Sequence, residues 1–142
     1  MATEKGTAVK VFTFLSDEIL AGEGDVMLPG SEDLSGVVKR YKSGGENRMH
    51  THPTEDHTFY ILQGEGTFHL EKGENVVVAG KHEALFLPAG SHYWFESSGA
   101  DTLVLLRAGS EWGSDRIIEG RPMPGNRIRE DAIHVQPREL PF

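Results

Sequence analysis

Turn-forming residues recur along this chain about every 8 to 12 positions, and this spacing restricts the fold more than any other feature. Clusters of glycine, proline, asparagine and aspartate separate short runs that are rich in valine, phenylalanine and other strand-forming residues. No segment keeps the 3.6-residue apolar period of an amphipathic helix over three turns. The sequence therefore predicts an all-β fold, a β-sandwich or small barrel made of short strands.

The predicted strands are concentrated before residue 110. We expect strands at 8–15, 36–43 and 50–62, a hairpin with arms at 67–70 and 76–78, and three short strands between 81 and 109. The 142 residues fit a single domain, because two halves would each bury too little core. We expect a barrel over about 8–110 and then a mostly irregular arm over 111–142, which holds four of the seven prolines. The arm either packs on its own barrel or is exchanged between subunits.

Charge and cysteine content exclude several classes of function. The formal net charge of −8 argues against nucleic acid or an anionic membrane as partner, because both would repel the protein. There is no cysteine, so a metal would have to be held by histidine and carboxylate. The N-terminal stretch lacks the pattern of a secretory signal, and no apolar run approaches the roughly 20 residues that span a bilayer. We expect a cytoplasmic protein.

Three histidines, His50, His52 and His57, crowd the start of a predicted strand. Side chains alternate along a strand, so His50 and His52 project to the same side. A turn or bulge at Pro53 can return His57 to the same place. A metal ion keeps such crowded imidazoles neutral, whereas joint protonation would make them repel one another. The spacing therefore predicts a metal site with these three ligands.

The stretch GGENRMHTHPTEDHTFYILQGEG resembles the first motif of the cupins, G(x)5HxH(x)3–4E(x)6G. Gly44 precedes His50 at the motif's spacing, and Gly64 closes the motif. His57 stands where the family usually has glutamate. The resemblance therefore implies a site in which imidazole replaces the usual carboxylate.

The stretch GKHEALFLPAGSHYWFES is similar to the second cupin motif, G(x)5PxG(x)2H(x)3N. Gly80 lies two residues too far from Pro88, His92 comes one residue early, and Tyr93 stands at the motif's histidine position. We expect a bulge to bring His92 in as the fourth ligand; an inward Tyr93 with His92 outside is the alternative. Together the motifs span residues 44–97 and imply the cupin double-stranded β-helix, or jelly roll.

The residues around the ligands predict an apolar cavity that suits a small apolar or aromatic substrate. Its expected lining is Met49, Phe59, Ile61, Phe68, Tyr93 and Trp94, with Arg40 as a polar contact. No catalytic side chain is assigned, because a metal-bound water is the expected base. Glu55 and Asp56 are candidates for a base or a hydrogen-bond acceptor behind the ligands, although a solvated loop is the simpler interpretation.

An all-histidine site leaves a divalent ion its full charge and makes it a strong Lewis acid. We expect one divalent ion, with zinc favoured and iron, nickel, copper or manganese as alternatives. The site resembles the small zinc-binding cupin cyclases of aromatic polyketide and antibiotic biosynthesis. That resemblance implies a homodimer that catalyses aldol-type ring closure. A cupin dioxygenase that acts on a diketone or phenolic substrate is the first alternative, and a cupin that only binds a small molecule is the second.

Overall fold

The computed structural model describes residues 9–31, 33–71, 75–110, 116–118, 120–123 and 132–140. One short helix, α1, covers Asp17–Ala21. The strands are β1 Val9–Val11, β2 Gly24–Met27, β3 Ser35–Tyr41, β4 Gly45–Thr51, β5 His57–Gln63, β6 Glu65–Leu70, β7 Asn75–Gly80, β8 Ala84–Leu87, β9 His92–Ser97, β10 Leu103–Gly109, β11 Arg116–Ile118, β12 Arg121–Met123, β13 Ile133–His134 and β14 Arg138–Leu140. Within these ranges no helix has the length and apolar content needed to cross a membrane.

Two six-stranded sheets make up the body of the domain. One has the order β13-β2-β3-β10-β5-β8 and the other β12-β11-β4-β9-β6-β7, while β1 and β14 form a separate pair. The rings of Phe59 in β5 and Phe95 in β9 have centroids 5.6 Å apart, so the inner faces of the two sheets pack on each other. This arrangement confirms the predicted all-β fold and double-stranded β-helix.

The core follows from the alternation of side chains along the strands. Phe59 and Ile61 of β5 are buried, whereas Tyr60 between them is 45% exposed. Phe68 and Phe95 stack with centroids 5.1 Å apart, and Leu105 joins the same cluster. Each such side chain contributes about 1.5–3 kcal/mol when it leaves water. One end of the barrel is therefore filled by aromatic and aliphatic groups.

A second apolar cluster lies on the outer face of the sheet that contains β3 and β10. Its buried members, Val26, Val38 and Val104, pack against Ile19 and Leu20 of α1, among others. The hydroxyl of Ser16 accepts a hydrogen bond from a backbone N–H in the first turn of α1 at 3.1 Å, which caps the helix. The helix thus covers an outer sheet face that would otherwise expose valine side chains.

The C-terminal arm is more regular than the sequence predicts. Strands β11 and β12 form a hairpin that extends one sheet, β13 pairs in parallel with β2, and β14 pairs with β1. A sheet edge carries backbone N–H and C=O groups without partners, and hydrogen bonds to these groups stabilise an added strand even when it comes from a proline-rich segment. Pro122 lies in β12 at the edge of its sheet, where a missing N–H is tolerated. Pro124 and Pro141 lie outside the described residues.

Candidate metal centre

Two imidazoles and a carboxylate meet inside the barrel. One ligand atom each from His52, Glu55 and His57 lies within 4.8 Å of the others, and all three residues are buried. Nε2 of His57 is 3.1 Å from Oε1 of Glu55, and Nδ1 of His52 is 3.7 Å from Oε2. Neighbouring ligands on one ion, each about 2.0–2.2 Å from it, are roughly 3–3.5 Å apart. The three side chains therefore have nearly the spacing of a single metal site.

A tight turn builds this group. β4 ends just before His52, and a turn at Pro53 and Thr54 folds Glu55 back over the His52 ring. Proline favours such a turn because its ring fixes φ near the value that the second turn position requires. Glu55 is only 1% exposed. The sequence-based interpretation of Glu55 as part of a solvated loop is therefore wrong, and its carboxylate joins the ligand group instead.

His57 begins β5 and lies against Gly109 of β10. The two residues are register partners, and a Cβ at Gly109 would lie 3.1 Å from Cδ2 of the His57 ring. That contact is tighter than ordinary packing, so the missing side chain leaves room for the imidazole. A larger residue at position 109 would therefore displace the His57 ring from the candidate metal centre.

The protonation states of the two imidazoles suit a metal. Burial lowers the pKa of His52 and of His57, although the Glu55 carboxylate acts in the opposite direction on both. Both rings are therefore neutral at pH 7, the form that binds metal. Nδ1 of His52 is buried without a hydrogen-bond partner among the described residues, and a metal ion would satisfy it. The residues present fit a divalent ion.

His50, the third predicted ligand, lies beside this group. Its ring centroid is 5.1 Å from that of His52. Nδ1 is 2.8 Å from the backbone carbonyl oxygen of Arg48, and Nε2 is 3.1 Å from Oε2 of Glu46. Nδ1 of His50 is thus directed at a carbonyl oxygen, and Nε2 is buried without a hydrogen-bond partner among the described residues. The structure brings together two of the three predicted histidines and adds a carboxylate to them.

His92 and Tyr93 point to opposite sides of β9. Tyr93 is 2% exposed, its ring centroid lies 4.3 Å from that of His50, and its hydroxyl is 3.4 Å from Nδ1 of His57. His92 is exposed. The prediction of His92 as fourth ligand is therefore wrong, because Thr51 pairs with His92 and His50 with Tyr93 in regular register. Without a bulge at this point, strand alternation turns Tyr93 inward.

A network of buried charges flanks the histidines. Oε1 of Glu46 is 3.2 Å from Nζ of Lys39, and Oε2 faces His50. Burial alone would raise the pKa of Glu46, but Lys39, His50 and Arg107 together hold it well below its usual value. Burial also raises the pKa of Tyr93, helped by the Glu46 carboxylate. The sequence pattern did not predict this network, and the inward parity of Lys39 in β3 is the one signal in the sequence that points to it.

The predicted apolar cavity is not formed by the residues expected to line it. Phe59, Ile61 and Phe68 belong to the packed core. The depression beside His52, Glu55 and His57 leaves about 0 Å³ of free space for a water molecule. In the described part of the chain these apolar side chains therefore fill the barrel rather than line a substrate cavity.

The other predicted pocket residues also lie elsewhere. The Arg40 guanidinium donates to the carbonyl oxygens of Ile19, Glu23 and Gly24 at 3.1, 2.6 and 3.0 Å. It therefore holds the segment after α1 on the outer face and does not reach the metal group. Trp94 stacks on the His69 ring at 3.7 Å, and Met49 is half-buried in β4.

Asp56, the second acidic candidate, has a structural role. Its carboxylate accepts a hydrogen bond from the backbone N–H of Ala89 at 2.8 Å. Its own backbone N–H donates to the hydroxyl of Ser110 at 3.0 Å. Asp56 is exposed and thus ties neighbouring loops together at the barrel mouth.

A polar groove opens on the other side of His50. It offers about 250 Å³ of space and is lined by Glu46, Asn47, Arg48, His50, Arg116 and Ile118. It runs between β4 and β11, which pair through His50 and Ile118. The space next to the candidate metal centre is therefore polar and charged, in contrast to the apolar cavity that was expected.

The fold and the site together define a double-stranded β-helix protein with a candidate metal centre inside its barrel. A family model for the cupin domain, Cupin_2, matches residues 37–108, half of the chain. The chain therefore belongs to the cupin family. A search of curated proteins finds no match.

Solved structures share the fold. An uncharacterized conserved protein with a double-stranded β-helix domain from Klebsiella pneumoniae has a TM-score of 0.63 and 20% identity, over 75% of this chain and 95% of that one. KdgF from Halomonas sp. has a TM-score of 0.54 and 20% identity, over 61% and 77%. Oxalate decarboxylase OxdC from Bacillus subtilis has a TM-score of 0.54 and 14% identity, over 63% and 24%. Likeness at these identities shows the fold alone.

Proposed function

We propose that this protein is a metal-dependent cupin enzyme that acts on a small polar substrate. The observation that carries the proposal is the convergence of His52, Glu55 and His57 in the barrel, with ligand atoms within 4.8 Å of one another. Structural neighbours of the same fold include enzymes, among them an oxalate decarboxylase. The geometry supports one divalent ion, held by two imidazoles and one carboxylate.

The chain's own residues provide the rest of the site. A divalent ion bound there would supply Lewis-acid polarisation of a substrate oxygen. The Tyr93 hydroxyl lies against Nδ1 of His57, which leaves Nε2 of that ring directed at Glu55. Nε2 of His50 lies 3.1 Å from Oε2 of Glu46, between the groove and the other histidines. In this proposal Nε2 of His50 accepts a proton from a carbon next to a substrate carbonyl, and the Glu46 carboxylate stabilises the positive charge that the ring then carries.

The polyketide substrate implied by the resemblance is the less favoured alternative. Ring closure of a poly-β-keto chain needs a cavity with apolar walls that hold the chain folded. Phe59 and Phe68, expected as walls, lie in the packed core, and the groove beside His50 is polar and offers about 250 Å³. Like the cyclase reaction, the proposed reaction removes a proton from a carbon next to a carbonyl group. It differs in its substrate, which is small and polar instead of long and apolar.

A dioxygenase is the second candidate, because two histidines and one carboxylate are also the ligand set of many non-haem iron oxygenases. The same three residues would hold the iron. Oxygen uptake by the iron-loaded protein, absent with zinc, would favour this candidate. The third interpretation, a cupin that only binds a small molecule, would be favoured by protein that contains no metal after gentle purification. The homodimer and the cytoplasmic location stay predictions.

Metal content and proton exchange test the proposal together. The untagged protein should contain about one divalent ion per chain, and His52→Ala should lower this content at least tenfold. His69→Ala, which removes a histidine on the outer face that pairs with Glu96 at 2.7 Å, is the matched control and should keep the metal. With a panel of small 2-oxo acids in D₂O, deuterium should enter the carbon next to the carbonyl. Chelation and His52→Ala should both abolish this exchange.

Full metal content in His52→Ala would contradict the proposed centre. Exchange that survives complete chelation would contradict metal-dependent chemistry.

A further inference from the structure

The groove between β4 and β11 is large enough for a ligand of its own. It offers about 250 Å³, just under the roughly 300–1,000 Å³ of pockets for drug-sized molecules. His50 forms part of its wall and lies with its ring 5.1 Å from that of His52. A small molecule in this groove would therefore lie next to the candidate metal centre, with only the His50 ring in between.

The charges that line the groove favour an anion. Arg48 and Arg116 come from its two strands, and among the described lining residues Glu46 is the one carboxylate. Glu46 is already held by Lys39 at 3.2 Å and by His50 at 3.1 Å. The two arginines in the wall thus outnumber the described carboxylate that lines the groove with them.

Arg116 supplies a second, independent indication. It is half-buried, and its Nε is buried without a hydrogen-bond partner among the residues that the structure describes. A buried donor without an acceptor costs free energy, and native proteins leave few of them. A carboxylate is the ligand that fits a guanidinium best, because its two oxygens accept two parallel hydrogen bonds.

We propose that the groove binds a small hydroxycarboxylate, with the carboxylate between Arg48 and Arg116 and the hydroxyl group donating to Glu46. A second carboxylate at Glu46 would be repelled, whereas a hydroxyl group can donate to it. The binding itself does not depend on the metal centre.

Three probes separate the contributions of the ligand's carboxylate and hydroxyl groups. Glycolate carries a carboxylate and a hydroxyl, acetate carries only the carboxylate, and ethylene glycol carries only hydroxyls. In NMR titrations of the ¹⁵N-labelled full chain, glycolate should bind several-fold more tightly than acetate, and ethylene glycol should not bind. The backbone signals that shift should include those of Glu46, Arg48 and Ile118. The affinities should be the same in chelated and metal-loaded protein to within about twofold.

Arg116→Gln should weaken glycolate binding at least tenfold. Arg121→Gln is the matched control, because Arg121 is exposed on the neighbouring strand β12 and does not line the groove; its affinity should stay within twofold of the wild type. If Arg116→Gln does not fold, Arg48→Gln provides the same test from the opposite wall.

The groove proposal is overturned if glycolate binds the folded Arg116→Gln variant as tightly as the wild type, if ethylene glycol binds as tightly as glycolate, or if glycolate binds only the metal-loaded protein. His52→Ala separates this proposal from the proposed function. If that variant loses metal and still binds glycolate, the groove is supported as an independent site. If the variant keeps its metal, the proposed function fails and the groove proposal stands on its own titrations.

Discussion

Nε2 of His57 lies 3.1 Å from Oε1 of Glu55, and the two side chains are almost completely buried. This contact changes the charge of the candidate metal centre. With Glu55 as a ligand, a divalent ion would keep a net charge of about +1, whereas an all-imidazole site would leave it at +2. An ion bound there would therefore be a weaker Lewis acid than one in the all-histidine site that the sequence predicts, and the charge of Glu55 would contribute to its binding.

Glu55→Gln should lower the metal affinity at least tenfold, because an amide keeps the shape of the side chain and loses the negative charge. Competition with a fluorescent chelator measures this affinity. Asp56→Asn is the matched control, since the Asp56 carboxylate bonds to the Ala89 backbone outside the ligand group. Equal affinities in wild type and Glu55→Gln would show that this carboxylate is not a ligand.

Tyr93→Phe should weaken metal binding by up to about tenfold, because groups behind the ligands orient them and typically contribute 10- to 100-fold. The substitution keeps the ring against His50 and removes only the hydroxyl near Nδ1 of His57. His92→Ala should leave the affinity unchanged, because His92 is exposed on the other face of β9. A large loss of metal in His92→Ala with none in Tyr93→Phe would reverse the assignment.

Phe59→Ala should destabilise the protein by about 3–5 kcal/mol, as expected when a large aromatic ring is removed from a packed core. Phe59 is 0% exposed, whereas Phe86 on the same sheet is 63% exposed. Phe86→Ala is therefore the control and should change the free energy of unfolding by less than about 0.5 kcal/mol. Urea denaturation measures both. A nearly unchanged stability of Phe59→Ala would instead support the cavity-lining role that the sequence predicted.

The metal-free protein should lose stability as the pH falls below about 6.5. Burial lowers the pKa of His52 and His57 below the ordinary value of 6.5, so the unfolded chain takes up protons on these residues before the folded chain does. Stability is complete above pH 6.5 and declines towards the lowered pKa values. Chemical denaturation of chelated protein between pH 7.5 and 5.5 should show this decline. A variant with both histidines replaced by asparagine should show a smaller one, and identical slopes would contradict the assignment.

Much of the fold was predictable because it depends on local order. The turn spacing and the absence of a helical period indicated short strands, and the alternation within β5 correctly marked Phe59 and Ile61 as inward-facing. The H-x-H spacing and the nearby His57 predicted a metal site in the segment where His52, Glu55 and His57 form a group that could hold an ion. These predictions concern residues that are close together in the sequence. The geometry of the backbone alone determines the relative directions of their side chains.

The structure decided whatever depends on partners far apart in sequence. His92 or Tyr93 could each have faced inward, and the register between β4 and β9 chose Tyr93. Arg40 was predicted as a polar contact of the pocket, but α1 and the segment after it supply three carbonyl acceptors for its guanidinium on the outer face.

The sequence by itself determined the strand-rich barrel and the position of its histidines, since side-chain parity and turn chemistry are local properties. Only the tertiary structure buried Glu55 among those histidines, turned Tyr93 inward in place of His92 and paired β11 with β4 to form the polar groove beside Arg116. Each of these depends on which strands pair and how a turn packs against a distant strand. Such contacts follow from the burial and hydrogen bonding of the whole chain, which no short stretch of sequence specifies.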